Sequence, residues 1–344
     1  MRTVSWVNNK VVLIDQTKLP FKFELIETDD ITRIATAIKR LEVRGAPAIG
    51  VTAAYAMALA ALQSKNKDPE KVLIELKNTR DFLATARPTA TNLFWAIDHM
   101  LNFAREIVAT GNRNLGELLL EEAERLADED VNRNQRLAEF GEQLLPDGAR
   151  VLTHCNCGPL CSVDIGSATA PMILAHQKGK KVHVYTDETR PRLQGAKINV
   201  WELNNAGVPY TLITDNTAAF IMQKGLVDFV FIGVDRAVAN GDLAAKIGVY
   251  GLSVLAKYHN IPFYAVSQIP TFDMDTPDGE HITVEERDPD EVRKINDQLI
   301  TIPNAEVLNY AFDITPHENI TGYITDKGII YPPFDENIKR IINQ

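Results

Sequence analysis

Cysteine is scarce: three residues in 344, all between positions 155 and 161. Three thiols in one short segment cannot build a disulfide framework, which points to a reducing compartment. Positive charge is in deficit. Lys and Arg number 36 against 46 Asp and Glu, a formal net charge of −10, which disfavours nucleic acid or an anionic membrane as a partner. The opening Met1-Arg2-Thr3-Val4-Ser5-Trp6 carries no apolar signal-peptide core, so the cytoplasm is the expected location. No Gly-x-Gly-x-x-Gly follows an apolar run, which leaves a dinucleotide cofactor without support. Internal repeats and low-complexity tracts are missing too. The most apolar run, Ala46 to Leu62, is alanine-rich and holds Pro47, Gly50, Thr52 and Tyr55, so it reads as a buried core helix rather than a membrane span.

What is present is ordinary globular sequence in two styles. Hydrophobic content of 45% and charged content of 24% belong to a packed protein, and 344 residues exceed one core. We expect a helical domain with a small β-meander over 1–128 and a Rossmann-like domain over 129–344. The fold class is α/β: a doubly wound parallel sheet domain preceded by a mainly helical domain with a small antiparallel sheet. Val4 to Val7, Val11 to Ile14 and Phe21 to Ile26 supply the meander. Thr28 is placed to cap a helix carrying Ile31, Ile34, Ala35, Ile38 and Leu41 at helical spacing. Pro47 opens the next helix, Asp68-Pro69 a third, and Thr89 or Thr91 a fourth. The charged amphipathic stretch from Asn114 to Leu145 is one or two helices joining the domains.

From Gly148 the pattern changes. Apolar runs at 149–153, 181–186, 208–213, 227–232 and 262–266 alternate with helix-like segments near 163–178, 194–206, 216–224 and 247–259. Such alternation implies a parallel sheet, with Cys155, Asp187, Asp215, Asp235 and Ser267 at the carboxyl ends of its strands, the edge where α/β sheets bind ligands. Tyr323 to Thr325 is a later strand.

Cys155 sits between His154 and an Asn156-Cys157-Gly158 loop that reads as opening a helix. A helix amino terminus favours the thiolate and an apolar pocket the neutral thiol; a lone Cys after a strand also serves as a small buried hydrophobe. Cys155, Cys157 and Cys161, with His154, lack the paired two-residue gaps and second cluster of a structural zinc site, so no metal is expected. Cys157 and Cys161 read as pocket-lining or core residues. Asp235 follows Val230-Phe231-Ile232-Gly233, and a carboxylate after so apolar a run is costly unless paired or functional. Burial would raise its pKa and suit it as a general acid; pairing with Arg236 is the plain alternative. Arg44, Arg87 and Lys246 stand at loop-to-helix junctions, each a phosphate ligand or an ordinary surface residue. Arg190 and Arg192 flank Pro191 and serve equally as salt-bridge partners, with Gln194 following at a helix start.

Several segments recur in one order over nearly the whole chain. They are Val-Arg-Gly-Ala-Pro-Ala-Ile-Gly at 43–50, Arg-Pro-Thr-Ala-Thr-Asn-Leu-Phe-Trp-Ala at 87–96, Thr-His-Cys-Asn at 153–156 and Asp-Glu-Thr-Arg-Pro-Arg-Leu-Gln-Gly-Ala at 187–196. Gly-Val-Asp-Arg at 233–236, Lys-Ile-Gly at 246–248, Ile-Pro-Phe-Tyr at 261–264, Glu-Glu-Arg-Asp-Pro at 285–289 and Ala-Phe-Asp-Ile-Thr-Pro at 311–316 complete the set. Together they resemble the S-methyl-5-thioribose-1-phosphate isomerases of the aldose-1-phosphate isomerase and initiation-factor-2B-like superfamily. The resemblance implies a sugar phosphate as the partner, a homodimer through the C-terminal domain, and neither cofactor nor metal. Carried over by position, Cys155 and Asp235 form the catalytic pair. Arg44, Gly45 and Ala46 hold phosphate, helped by Arg87, Gln194 and Lys246, with Ala245 at a further substrate-binding position.

The implied reaction turns S-methyl-5-thio-α-D-ribose 1-phosphate into S-methyl-5-thio-D-ribulose 1-phosphate, a step of methionine salvage. Three departures bear on the sugar. Ala245 stands where the family usually has Asn, a loss on the order of 1 kcal/mol if that amide bonds a hydroxyl. Cys157-Gly158-Pro159-Leu160-Cys161-Ser162 replaces a run of small residues, and Ser267-Gln268-Ile269-Pro270 replaces Pro-Xaa-Ser. Isomerases of 5-deoxyribose 1-phosphate or another ribose 1-phosphate derivative are therefore alternatives. A non-catalytic regulatory subunit of the same superfamily is the alternative of another class.

Overall fold

The computed structural model describes residues 2–88, 90–112 and 114–343. Asn8 and Asn9 take left-handed φ values of 51° and 60°, the geometry of a tight hairpin, and turn β1 (Val4–Val7) into β2 (Lys10–Ile14). β3 (Leu25–Thr28) pairs antiparallel with β2, Ile14 opposite Leu25 and Val11 opposite Thr28. The strand expected over 21–26 is thus displaced. Pairing with β2 stops at Ile14, and Phe21 and Phe23 stand exposed in the turn before Leu25. Thr28 is not the helix cap either. α1 (Ile31–Lys39) is capped by Asp30, whose carboxylate accepts from the Thr32 N–H, while Thr28 Oγ1 accepts from Asp30.

α2 (Ala46–Gln63) carries Pro47 in its first turn. It is long and apolar enough to cross a membrane by length and composition, yet every residue from Ala48 to Leu59 is buried within a helical core. α3 (Pro69–Ala84) is capped by Asp68, which accepts from the Glu70 N–H. α4 (Thr91–Ala109) has Ala90 in the cap position, so Thr91 is its first residue and not its cap; Thr89 lies outside the described residues. α5 (Leu115–Glu142) is one continuous helix. The chain divides inside it into two units, Met1–Asn132 with Pro159–Gly166, and Arg133–Gly158 with Ser167–Gln344.

The second unit begins β4 (Arg150–Thr153), α6 (Ala170–Gln177), β5 (His183–Asp187), α7 (Val200–Asn205), β6 (Tyr210–Ile213), α8 (Thr217–Gln223) and β7 (Phe229–Gly233). It continues with β8 (Arg236–Val238), β9 (Leu243–Lys246), α9 (Val249–Tyr258), β10 (Phe263–Val266), β11 (Phe272–Asp273), α10 (Asp290–Arg293), β12 (Lys294–Ile295) and β13 (Gln298–Leu299). β14 (Phe312–Thr315), β15 (Gly322–Thr325), β16 (Gly328–Ile330) and α11 (Phe334–Ile342) complete it.

The main sheet runs β16-β15-β10-β7-β4-β5-β6, parallel throughout except for β16 at its edge. Its central strands are apolar on both faces, because helices cover both. Val151, Phe231 and Tyr264 pack on one side with Met172 of α6 and Leu203 of α7. Leu152, Val230, Ile232 and Ala265 pack on the other with α8, α9 and α11. This is the doubly wound arrangement the alternation implied. A second sheet, β11-β8-β9-β14, is built on the hairpin that turns at Asn240-Gly241.

Candidate active site

After β4 the chain adds β5 and β6 on one side, then returns to begin β7 on the other. The strand order reverses between β4 and β7, and the crevice at such a reversal is where open α/β sheets bind ligands. Cys155 lies two residues beyond β4 and Asp235 two residues beyond β7. Val151 pairs with Phe229 and Leu152 with Val230, so the two exits leave the sheet nearly in step. Gly233 lets the loops close on each other: a Cβ there would lie 2.0 Å from Cys157 Sγ. The loop carrying Cys155 therefore rests on the end of β7.

The thiol is half-buried and its backbone is strained. Cys155 has φ 67°, Thr189 has 63° and Leu193 has 60°, left-handed values that cost a non-glycine residue energy and gather at functional sites. Hydrogen bonds hold the strain. The Cys155 N–H donates to Thr189 Oγ1 at 2.9 Å, and the N–H groups of Thr189 and Arg190 donate to the two oxygens of Asp215, each at 2.7 Å. Gln194, just before a π-helical turn over Gly195–Asn199, donates from Nε2 to Cys155 Sγ at 3.2 Å. Its Oε1 is buried with no hydrogen-bond partner among the described residues, an acceptor presented beside the sulfur. Contrary to expectation, the loop after Cys155 opens no α-helix. It leads through Pro159 into a single 3-10 turn, Pro159–Cys161, and α6 starts only at Ala170; the helical segment that begins beside the thiol is the one Gln194 opens.

The residue before Cys155 is His154. It is 2% exposed, its Nδ1 lies 2.8 Å from Asp187 Oδ2, and its Nε2 lies 3.0 Å from the Ile247 carbonyl. Burial opposes charge on the ring, but the Asp187 carboxylate, with Cys155 and Asp215 nearby, outweighs it and brings the imidazole up to about 8. Burial also pushes the Asp187 carboxyl up, against the pull of His154. The carbonyl at Nε2 can only accept, so that nitrogen carries hydrogen, and a protonated ring satisfies both partners. His154, Asp187 and Asp215 offer metal-type ligand atoms within 4.8 Å of one another, but the ring spends both nitrogens on protein acceptors and the Asp215 oxygens accept amides.

Asp235 anchors through its backbone, donating from N–H to the Ala244 carbonyl of β9 at 3.0 Å. Its side chain is exposed, which corrects the expectation of a buried acid; the apolar strand has already ended at Gly233. Arg236 reaches Asp273 at 3.5 Å. Lys246, at the end of β9, donates to the Ala311 carbonyl at 2.9 Å and lies 4.5 Å from the centre of the Phe312 ring. Ala245 is fully buried opposite Asp313. Arg190 donates to the Val292 carbonyl and Arg192 pairs with Glu291 at 2.6 Å, so both fix the α10 segment.

The second unit thus joins Cys155 to Gln194 directly, and to Lys246 through His154 and Ile247. Arg44, Gly45, Ala46 and Arg87 belong to the first unit. There Gly45, at φ 93°, abuts the backbone of Cys161 where α2 begins, and half-buried Arg87 precedes α4. Sequence reasoning missed His154 as partner of Asp187, and Thr189 altogether. The signal was in the strand register: Thr153 opposite Thr186 sets His154 across from Asp187.

The fold and site define a Rossmann-like α/β protein with a thiol and a carboxylate at the reversal of its sheet. The chain belongs to the Initiation factor 2 subunit family, whose sequence model matches residues 42–332. It is 46% identical over 341 residues to methylthioribose-1-phosphate isomerase of Desulforamulus reducens, covering 99% of both chains. It is 45% identical to methylthioribose-1-phosphate isomerase 2 of Pseudothermotoga lettingae, covering 99% of this chain and 98% of that one. The crystal structure of 5-methylthioribose 1-phosphate isomerase from Pyrococcus horikoshii OT3 superposes with a TM-score of 0.94 at 42% identity, covering 99% and 96% of the two chains. The crystal structure of the translation initiation factor eIF-2B, subunit delta, from A. fulgidus gives 0.92 at 43% identity over the full length of both.

Proposed function

We propose that this chain is an aldose–ketose isomerase that converts S-methyl-5-thio-α-D-ribose 1-phosphate to S-methyl-5-thio-D-ribulose 1-phosphate in methionine salvage. The observation that carries the reading is the Cys155 turn, a strained thiol that takes a hydrogen bond from Gln194 at the reversal of the sheet. The names of the full-length relatives supply the substrate. In an aldose 1-phosphate the phosphate blocks the anomeric oxygen, so an acid must protonate the ring oxygen as its bond to C1 breaks. Asp235 has that role: its carboxyl is exposed in the free chain, and a sugar bound over it shields it from water, which favours the protonated form. Cys155 takes the C2 proton, giving an enol phosphate; the proton returns to C1, and the C2 hydroxyl gives its proton back to Asp235 as it becomes the ketone. An N–H aimed at sulfur favours the thiolate this step needs. Lys246 is the phosphate ligand of the second unit; Arg44, Gly45, Ala46 and Arg87 of the first unit stand at the family's phosphate-binding positions, and the unpartnered Oε1 of Gln194 suits a sugar hydroxyl. The chain acts in the cytoplasm as a homodimer through the second unit. Support for the dimer is the exposed stripe Tyr250, Val254 and Tyr258 along α9, with Phe220 on neighbouring α8.

The test is turnover of purified S-methyl-5-thioribose 1-phosphate, 5-deoxyribose 1-phosphate and ribose 1,5-bisphosphate by the wild type and Asp235→Asn. The first should give the highest kcat/KM, and the variant should bind it without turning it over. Turnover of none of them overturns the reading. A phosphosugar-binding regulatory subunit is the second reading, favoured by the likeness to the A. fulgidus eIF-2B subunit; binding of the sugar phosphate with no product is its signature.

A further inference from the structure

The proton-transfer scheme uses Cys155 and Asp235 and leaves the most buried ionisable cluster of the second unit without a task. His154 is held between acceptors at both ring nitrogens. Asp187 Oδ2 and the Ile247 carbonyl take them, Asp215 lies beside Asp187, and Asp313 of β14 and the Cys155 thiol are near enough to act on the ring's charge. Gly248 lies against the ring itself: a Cβ there would come within 3.1 Å of it. The Asp313 carboxylate fixes that turn by accepting from the Gly248 and Tyr250 N–H groups at 2.7 and 3.0 Å. The ring thus bridges the loop bearing Cys155 and the turn immediately after Lys246. We propose that His154 is a positioning residue for this reaction, a buried imidazolium that ties the Cys155 loop to the Lys246-Ile247-Gly248 turn and keeps positive charge behind the thiol.

Two consequences follow from this geometry. A positive charge near a thiol lowers the cost of forming thiolate. The bridge also fixes the distance between the proposed base and a proposed phosphate ligand, the kind of placement on which proton transfer at C2 depends. Its catalytic meaning rests on the isomerase reading; its effect on the thiol does not.

The test is therefore made on the thiol. In a chain carrying Cys157→Ser and Cys161→Ser, the rate of Cys155 alkylation by iodoacetamide is followed from pH 6 to 9. His154→Gln should slow alkylation at pH 7 by about tenfold and move its midpoint to higher pH, as loss of an adjoining charge requires. Asp187→Asn, which takes away the partner that keeps the ring charged, should move it the same way. A His154→Gln profile that superposes on the parent overturns the proposal. Should that variant fail to fold, nitrogen NMR of the wild-type histidine ring decides: both ring nitrogens protonated at pH 7 supports the proposal, and one bare nitrogen overturns it. Alkylation that shifts as expected in a chain that isomerises no sugar phosphate would keep the imidazolium and reject the isomerase reading. Turnover with an unmoved profile would do the reverse.

Discussion

At the scale of single residues, the site depends on what Gly233 lacks. The loop from Cys155 to Gly158 reaches the end of β7 only because no side chain stands there; a Cβ would meet Cys157 Sγ at 2.0 Å and its Cβ at 2.7 Å. Gly233→Ala must push the loop off the strand, and overpacking of this kind costs about 1–3 kcal/mol. We expect a lower melting temperature and a fall in kcat of more than about tenfold, since misplacing a reacting group by about 1 Å is that expensive. Cys157→Gly in the same chain removes both clashing atoms and should restore much of the activity, a coupling that two independent defects would not show. If the double variant is no better than Gly233→Ala, the packing account is wrong. Cys155 and Asp235 could be located from sequence because each follows an apolar run at a predictable sheet edge. The exposure of Asp235 could not, because it depends on where the strand stops relative to its neighbours. His154 was hidden for a related reason: its partner lies 33 positions away and is found only through the register of β4 against β5.

At the scale of elements, the parallel strands of the main sheet were legible because the central ones are short apolar runs buried on both faces, whereas β16, the antiparallel edge strand, was not read. The β8–β9 hairpin, which carries the residues next to Asp235 and Lys246 itself, was not read as strand. Its signal was present in Asn240-Gly241 between two apolar runs, a strong short-range hairpin cue. The return of 159–166 to the first unit had no such cue; it rests on long-range bonds such as the Thr3 N–H to the Val163 carbonyl at 2.7 Å. The hairpin is fastened by Asp242. Its carboxylate accepts from Asn240 Nδ2 and the Gly279 N–H, and from both the N–H and the ring Nδ1 of His317. Burial pushes this carboxyl up, and those donors outweigh it to hold it below the ordinary Asp value. Asp242→Ala leaves partly buried donors unpaired, a loss of about 1–3 kcal/mol. The hairpin should then loosen, with a lower melting temperature and a raised KM for sugar phosphate through Lys246. An unchanged KM in a destabilised variant would detach Lys246 from phosphate binding.

At the scale of the whole molecule, a net charge of −10 gives a broad electrostatic background that changes slowly through neutral pH. Against it, one buried histidine supplies a term with a defined window. Its ordinary value is 6.5 and the fold brings it up to about 8. A group whose pKa is raised on folding binds its proton more tightly in the folded state. Its stabilisation is complete below pH 6.5 and disappears as pH rises through 8. The size follows from about 1.4 kcal/mol per pH unit, roughly 2 kcal/mol in all. The melting temperature of the wild type alone does not isolate the effect, because it sums the proton binding of the whole chain. The gap between wild type and His154→Gln does, because every other group cancels. That gap should be widest at pH 6, narrow steadily between 6.5 and 8, and level off above 8 at whatever the packing of the ring contributes by itself. A gap of constant width across that range would mean that folding leaves the ring's pKa at its ordinary value. The ring would then be mostly neutral at pH 7, and the thiol of Cys155 would have little positive charge behind it.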